Sequence, residues 1–191
     1  MSAPPAPLPP AAAPALLTAD EFAARYAHVH AELVKGVVKE CPMTGFKVGT
    51  ICVTIGVLIY NHVKAHDLGH VASNDTWVHT GSNPDTVRGA DVLFISYERL
   101  PKGDVGDSYL TVAPDLVVEV KSPSDRWNDL FVKVGEYLGA GVRVVVLVDP
   151  ATESVSVYRM EDGQRTLGIN DTLTLPDVLP GFSMPVAHLF A

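Results

Sequence analysis

Two acidic residues and a lysine have the types and spacing that suit metal-dependent hydrolysis of a phosphate ester. Glu119 and Lys121 are two positions apart in the apolar run P-D-L-V-V-E-V-K-S. Side chains alternate along a strand, so both are expected on one face, opposite Leu116, Val118 and Val120. Burying such charges is costly unless they face a polar pocket, a metal or each other. The pattern therefore predicts a functional site on this strand.

A second carboxylate, Asp91, opens another apolar strand, Val92 to Ile95. If the two strands pair, Asp91 lies beside Glu119, and two acids and a lysine converge. Mg²⁺ prefers oxygen ligands and takes one or two carboxylates from a protein. A cation held there would neutralise a scissile phosphate and lower the pKa of an attacking water. We therefore predict a Mg²⁺ site at Asp91 and Glu119, which Mn²⁺ could also occupy.

The surroundings of these residues resemble a known family. An Asp followed, some tens of residues later, by Glu-x-Lys is similar to the signature of the PD-(D/E)xK nucleases. The run Pro114 to Ser124, then Asp129, Lys133 and Tyr137, V-V-V-L-V-D-P and L-P-G-F-S-M-P-V-A-H-L-F resembles the Uma family of that superfamily. Its members are described as "putative restriction endonucleases". The resemblance spans roughly residues 20 to 191. It implies a Mg²⁺-dependent DNA endonuclease with the restriction-endonuclease-like fold.

The resemblance also implies roles for individual residues. The backbone carbonyl of Val120 would complete the metal ligands, and Lys121 would orient or activate the water and stabilise negative charge. Many family members instead place the lysine on the following helix, where Lys133 matches. We prefer Lys121, because the strand fixes it two positions from Glu119. Lys133 then binds the phosphate backbone or supports the site.

Two accessory residues are expected near this site. Glu32 matches a family acid in an N-terminal hairpin, although Val37 stands where a second acid usually follows the turn glycine. An exposed strand residue is an equal interpretation of Glu32. Tyr137 could hydrogen-bond a phosphate or a site carboxylate, and the alternative is a half-buried helix aromatic.

The charge of the chain argues against a simple nucleic-acid binder. The net charge is −8, whereas such proteins use an excess of Lys and Arg against phosphates. A carboxylate metal site contributes part of that charge, and a local basic rim can coexist with it. Two alternatives therefore stay open: a catalytically inactive nuclease-fold module that binds nucleic acid or protein, and a hydrolase of a small phosphate ester that shares the same site.

The elements that position the site follow from periodicity and turn residues. We predict a single α/β domain with a mixed β-sheet flanked by helices, and the resemblance implies that this fold is restriction-endonuclease-like. A parallel strand–helix–strand crossover is expected from Leu116 to Val148. The expected elements are a Thr18-capped helix to about Tyr26, a hairpin around Lys35-Gly36, a helix from Phe46 to about Asp67, a strand around Trp77, a helix capped by Ser124 or Asp125 and ending near Leu138, and an antiparallel edge meander that ends before Pro176.

The remaining sequence features concern the domain boundaries, other possible metal ligands, the cysteines, the location and the oligomeric state. Residues 1–17 are expected to form an Ala/Pro-rich tail and residues 18–191 the domain, since twelve of the first 16 residues are Ala or Pro. His62, His66 and His70 could bind a metal, but solvated histidines are the stronger expectation. Cys41 and Cys52 are expected to be reduced packing residues. No membrane segment or secretory signal is expected, which predicts a cytoplasmic protein. Exposed strand edges and the resemblance favour a homodimer.

Overall fold

A computed structural model describes residues 15–103 and 105–191. The Ala/Pro-rich part of the predicted tail lies outside the described residues, and Leu17 already donates a backbone hydrogen bond to the carbonyl of Gly36 at 2.9 Å. In chain order the elements are α1 (Ala19–Tyr26), β1 (Ala31–Val34), β2 (Val37–Glu40), α2 (Phe46–Ala65), β3 (Gly69–Gly81), β4 (Thr86–Ser96), β5 (Leu116–Val120), α3 (Trp127–Gly139), β6 (Val144–Asp149), β7 (Ser154–Arg159), β8 (Gly163–Leu167), β9 (Thr172–Leu175), β10 (Leu179–Pro185) and a 3₁₀ turn (Val186–Leu189).

A mixed, mainly antiparallel sheet of eight strands forms the centre, in the order β2-β1-β4-β5-β6-β7-β8 with β3 also paired to β4. The β5 and β6 strands are parallel and are joined through α3, as predicted. The two faces of the sheet are covered by different helices, since Val118 packs in the cluster with α2 whereas Val117 packs with α3. The predicted fold class, a mixed sheet flanked by helices, is confirmed.

The β4 strand has an interrupted edge. Along one side it pairs continuously with β3 from Gly81↔Thr86 to Gly69↔Ser96, apart from two register shifts. On the other side it pairs with β1 only at Leu33↔Val87 and with β5 only from Val92 to Phe94. Residues 88–91 therefore lie in a gap between two partner strands. We call this stretch the β4 gap.

Most of the predicted elements are found at the expected places. The Thr18–Glu21 capping box begins α1, and Lys35 and Gly36 form the hairpin turn with φ of 50° and 77°. Helix α2 buries the expected apolar stripe, which includes Ile51, Ile55 and Ile59. The spacing of apolar residues was sufficient to predict the two helices, because each has one apolar face against the core.

Three local predictions were wrong. Asp91 does not open its strand, because β4 begins at Thr86 and a buried arginine and a glycine, Arg88 and Gly89, interrupt its apolar run. Helix α3 begins after Arg126 with no side-chain cap, because the Asp125 carboxylate accepts a bond from the Ser122 amide at 2.7 Å instead. The strand before Pro176, β9, leaves the meander and pairs with β10 in a separate two-stranded sheet.

Helix α2 is the one described helix that is long and apolar enough, by length and composition, to cross a membrane. Its buried stripe packs in the cluster between the helix and the sheet. Its histidines serve local contacts: His62 Nε2 lies 3.0 Å from the carbonyl of Pro180, and His66 Nδ1 lies 2.8 Å from the carbonyl of His62. These contacts favour the interpretation that these two histidines are structural.

Candidate active site

Asp91 and Glu119 come from paired neighbouring strands and line the same cavity of about 210 Å³. The Asp91 carboxylate accepts a 2.6 Å hydrogen bond from the amide of Val120, the residue after Glu119. Regular pairing between β4 and β5 ends at Val92↔Val118. Beyond that pair, the Asp91 carboxylate accepts the Val120 amide in place of a backbone carbonyl. Burial raises the pKa of Asp91 to about 6, although the Val120 amide and Lys133 act in the opposite direction.

Glu119 is almost completely buried, at 5% exposure, and both of its oxygens have protein partners. Lys133 Nζ lies 2.8 Å from Oε2, and the Tyr137 hydroxyl donates to Oε1 at 2.9 Å. Burial raises the pKa of Glu119 to about 8, and the charge of Asp91 adds to this effect while Lys133 opposes it. The raised pKa values indicate a site that holds two ionised carboxylates poorly without a further positive charge.

Lys133 is the centre of the hydrogen-bond network. Besides Glu119, its Nζ lies 3.0 Å from Glu32 Oε1 and donates to the carbonyl of Gly89 at 2.8 Å. Burial alone would lower the pKa of Lys133, but Glu119 and its other partners raise it well above the usual value. Lys133 is therefore a charged group with all three of its N–H bonds committed.

Tyr137 and Glu32 both lie in this network. Tyr137 is completely buried, so the half-buried alternative for this residue was wrong. Glu32 accepts the amide of Gly89 at 3.0 Å and pairs with Arg88 at 2.7 Å, so the exposed-strand interpretation of Glu32 was wrong as well. Burial opposes the ionised form of Glu32, but Lys133 and Arg88 outweigh it and lower its pKa.

Arg88 and Glu136 were not anticipated from the sequence. Arg88 bridges Glu32 and Glu136, with its Nε 2.6 Å from Glu136 Oε2. These two ion pairs connect β4, which carries Arg88, to the first hairpin through Glu32 and to α3 through Glu136. The signal was present in V-R-G-A-D-V-L-F-I, because an arginine inside an apolar run requires a buried partner.

Asp75 is a third residue that the sequence did not reveal. The β3–β4 register shifts between Ser73↔Val92 and Thr76↔Ala90, which places Asn74 and Asp75 opposite Asp91. Both bulge residues have positive φ, 69° and 55°. Asp75 Oδ2 lies 2.9 Å from His30 Nε2, and both residues line the Glu119 cavity. Asn and Asp tolerate positive φ better than most residues, so N-D inside a strand was the available signal.

Lys121 lies apart from the two carboxylates. Its Nζ donates to the carbonyl of Ser122 at 3.2 Å and sits 5.6 Å from the centre of the Trp127 ring. Its side chain lines a neighbouring cavity of about 420 Å³, together with Phe46 and Lys47. In the described part of the chain it has no hydrogen bond or ion pair with Asp91 or Glu119. The expected shared face is not found, because β5 ends at Val120 and alternation does not extend to Lys121.

The residues suited to a metal are Asp91 and Glu119, with the Val120 carbonyl nearby in sequence. Oxygen donors of this kind fit Mg²⁺ or Mn²⁺, and the raised pKa values identify carboxylates that a cation would stabilise. Within residues 15–103 and 105–191, no group of three or more His, Cys, Asp or Glu side chains is arranged to hold a metal. Two protein carboxylates are enough for Mg²⁺, which usually keeps several waters.

Asp115 and Asp149 belong to structural contacts. Asp115 is buried, accepts the amide of Ser96 at 2.8 Å and pairs with Arg99. Asp149 accepts the amide of Ala151 at 3.0 Å in the turn after β6. Asp115 directly precedes β5 and Asp149 ends β6, so both carboxylates bond the chain at the ends of strands.

Comparison with known proteins identifies the family. The family Uma2, described as "Putative restriction endonuclease", matches residues 19–187. The chain belongs to this family. Among solved structures, a crystal structure of "a putative nuclease belonging to DUF820" from Anabaena variabilis ATCC 29413 has a TM-score of 0.80 and 21% sequence identity, and the match covers 91% of this chain and 97% of that chain. This likeness shows a shared fold. No curated protein matches this chain.

Proposed function

We propose that this Uma2 protein is a divalent-metal-dependent DNA endonuclease that hydrolyses phosphodiester bonds at the Asp91–Glu119 cavity. The observation that supports this most strongly is the buried Glu119 carboxylate and the half-buried Asp91 carboxylate on adjacent strands, both with raised pKa, in one cavity. Family membership and the fold shared with a protein described as a nuclease support the same reaction class.

The proposed metal ligands are Asp91, Glu119 and the Val120 carbonyl. A Mg²⁺ or Mn²⁺ ion bound there would neutralise charge on the scissile phosphate and lower the pKa of an attacking water. Hydrolysis joins the water oxygen to phosphorus and breaks the bond from phosphorus to the leaving oxygen, which takes up a proton.

Lys133 and Tyr137 orient the Glu119 carboxylate by holding one oxygen each, at 2.8 and 2.9 Å. Glu32 in turn holds Lys133 and Gly89 in place. We assign Lys133, Tyr137 and Glu32 as positioning residues, because their polar atoms are occupied by protein groups. Lys121, whose side chain lines the neighbouring cavity, is assigned to a backbone phosphate of the substrate.

A catalytically inactive nuclease-fold module is the second candidate function. This function is favoured because protein groups already occupy the polar atoms of the site. Lys133 neutralises part of the acidic charge, and both Glu119 oxygens accept hydrogen bonds. Net charge also favours it, at −8 for the whole chain. The homodimer and the cytoplasmic location stay predictions under either function.

Calorimetric titration of Mn²⁺ or Mg²⁺ separates the two functions when DNA cleavage is followed under the same conditions. Wild type is expected to bind metal and to cut plasmid or a single-stranded oligonucleotide, while Glu119→Gln is expected to lose both metal binding and cleavage, because an amide cannot supply a carboxylate ligand. Asp177→Asn is the matched control, since Asp177 is a surface acid paired with Arg159. Wild-type protein that binds no metal, even with DNA present, would exclude the catalytic function.

A further inference from the structure

Exposed aromatic side chains and two lysines form a continuous surface beside the candidate active site. Trp127 and Phe131 stack on α3 with ring centroids 5.6 Å apart and an interplanar angle of 28°. Although stacked on each other, they are 42% and 47% exposed. We define the aromatic–lysine surface as Phe46, Lys47, Lys121, Trp127 and Phe131.

Lys121 lies near an aromatic ring, and Lys47 lines the same cavity as Lys121 and Phe46. Lys121 Nζ is 5.6 Å from the Trp127 ring centre, and Lys47 Nζ is held 3.1 Å from the carbonyl of Pro150. Both lysines line the cavity of about 420 Å³ together with Phe46, which is 90% exposed. Two cations and three exposed rings therefore share one surface.

This surface is continuous with the proposed metal site. Ser122 and Val48 line both the Glu119 cavity and the neighbouring cavity. Lys121 is two residues beyond Glu119, so the Cα atoms of the two residues are at most roughly 7 Å apart. A polymer with a reacting group at Glu119 can thus place its next units on the aromatic–lysine surface.

Two kinds of nucleic acid would use this surface differently. Duplex DNA hides its base faces and is held mainly through phosphates, which an acidic chain of net charge −8 disfavours. A single strand offers unstacked bases that bind aromatic rings, with lysines following the backbone. The combination of three exposed rings and two lysines matches the single strand.

We propose that the substrate of this protein is single-stranded nucleic acid, whose bases stack on Phe46, Trp127 and Phe131 while Lys47 and Lys121 contact its backbone phosphates. The inference rests on the proposed nuclease function, because it assigns the substrate class of that site. The inference concerns binding, however, so the affinity for single-stranded nucleic acid can be measured without cleavage.

The test is fluorescence anisotropy in EDTA with a labelled 20-nucleotide strand and with the same strand annealed to its complement. Wild type is expected to bind the single strand at least about tenfold more tightly than the duplex. Trp127→Ala with Phe131→Ala is expected to weaken single-strand binding about five- to 150-fold per base lost from a ring, with duplex affinity little changed.

Three further variants sharpen the result. Trp127→Phe should retain single-strand affinity, since it keeps a ring for stacking. Met160→Ala is the control, because Met160 is another exposed apolar side chain, at 66%, and lines neither the Glu119 cavity nor the neighbouring cavity. Lys121→Ala should lower the slope of log affinity against log salt by about 0.7, the value for one phosphate of a single strand.

Several outcomes would overturn the proposal. Equal affinity for single strand and duplex would do so, as would unchanged single-strand binding in the Trp127→Ala, Phe131→Ala variant. A wild-type dimer that dissociates in this variant without loss of DNA binding would assign the surface to a second copy of the chain. Binding that follows the proposal while plasmid and single strand stay uncut with Mn²⁺ would instead contradict only the nuclease function.

Discussion

At the scale of single residues, the two candidate lysines differ in what their ammonium groups contact. Lys133 is bonded to Glu119, Glu32 and the Gly89 carbonyl, whereas Lys121 contacts only the Ser122 carbonyl and the Trp127 ring among the described residues. Sequence spacing favoured Lys121, because strand alternation was extended one residue beyond the end of β5. The choice between the two depended on tertiary placement, which local spacing does not encode.

These contacts predict opposite kinetic effects of two matched substitutions. Lys133→Met is expected to lower kcat about 100- to 1,000-fold, because Glu119 loses the cation that orients it. Lys121→Met is expected to raise KM with kcat little changed, because it removes a substrate contact that is equal in the ground and transition states. Steady-state kinetics with Mn²⁺ and an oligonucleotide substrate checks both. The reverse pattern would return the catalytic role to Lys121.

At the scale of elements, the sequence predicted the helices and strands whose apolar residues recur with one clear period. It missed the elements in which polar residues or glycines interrupt that period. Helix α2 and strands β5 and β6 have regular apolar patterns and were placed within a few residues. The beginning of β4 was missed because Arg88 and Gly89 are unusual in a buried strand. Both are required by neighbours: Arg88 bridges Glu32 and Glu136, and a side chain at Gly89 would come within 3.1 Å of the Asp75 Cβ.

The Arg88 bridge is expected to stabilise the contact between the first hairpin, β4 and α3. Arg88→Met leaves Glu136 without its cation and Glu32 with Lys133 alone, in a site where the arginine side chain is 8% exposed, and should lower the free energy of unfolding by about 3–5 kcal/mol. Arg159→Met removes an arginine from a more exposed pair with Asp177, and should cost no more than about 1 kcal/mol. Urea unfolding of both variants measures the difference. Equal small losses would show that the Arg88 bridge is not stabilising.

At the scale of the whole molecule, the family resemblance identified the fold, and Asp91 and Glu119 were correctly expected on adjacent strands. The sequence could not reveal that these acids belong to a larger buried network, because its members lie far apart along the chain. Glu32, Arg88, Glu119 and Lys133 meet only after the first hairpin and α3 have packed against β4 and β5. Only the folded chain brings these charges together.

The buried acids should make the stability of the whole domain depend on pH. The pKa of Glu119 is raised from 4.5 to about 8, so the folded chain keeps a proton that the unfolded chain releases within this range. Metal-free protein is therefore expected to lose free energy of unfolding as pH rises from about 5 to 8, and Glu119 contributes at most about 1.4 kcal/mol per pH unit to this loss. Asp91, with a pKa raised to about 6, adds to this slope at the acidic end.

Urea unfolding at pH 5.5 and pH 8, with and without Mg²⁺, checks this dependence. Mg²⁺ binds the ionised carboxylates, so the stabilisation it gives should be larger at pH 8. Glu119→Gln is the control, since its amide does not titrate and its unfolding free energy should vary less with pH. A wild-type slope equal to that of the variant would argue against a raised pKa at Glu119.

The β4 gap has a consequence for solubility as well as for chemistry. Unpaired backbone in a strand edge can recruit a strand from another molecule and begin aggregation. Here the Glu32 carboxylate accepts the Gly89 amide, and Lys133 donates to the Gly89 carbonyl, so side chains occupy the bonds that an incoming strand would need. The charged residues proposed for function thus also occupy the backbone bonds of this buried gap, and an incoming strand could reach those bonds only after local opening and replacement of these residues by apolar ones.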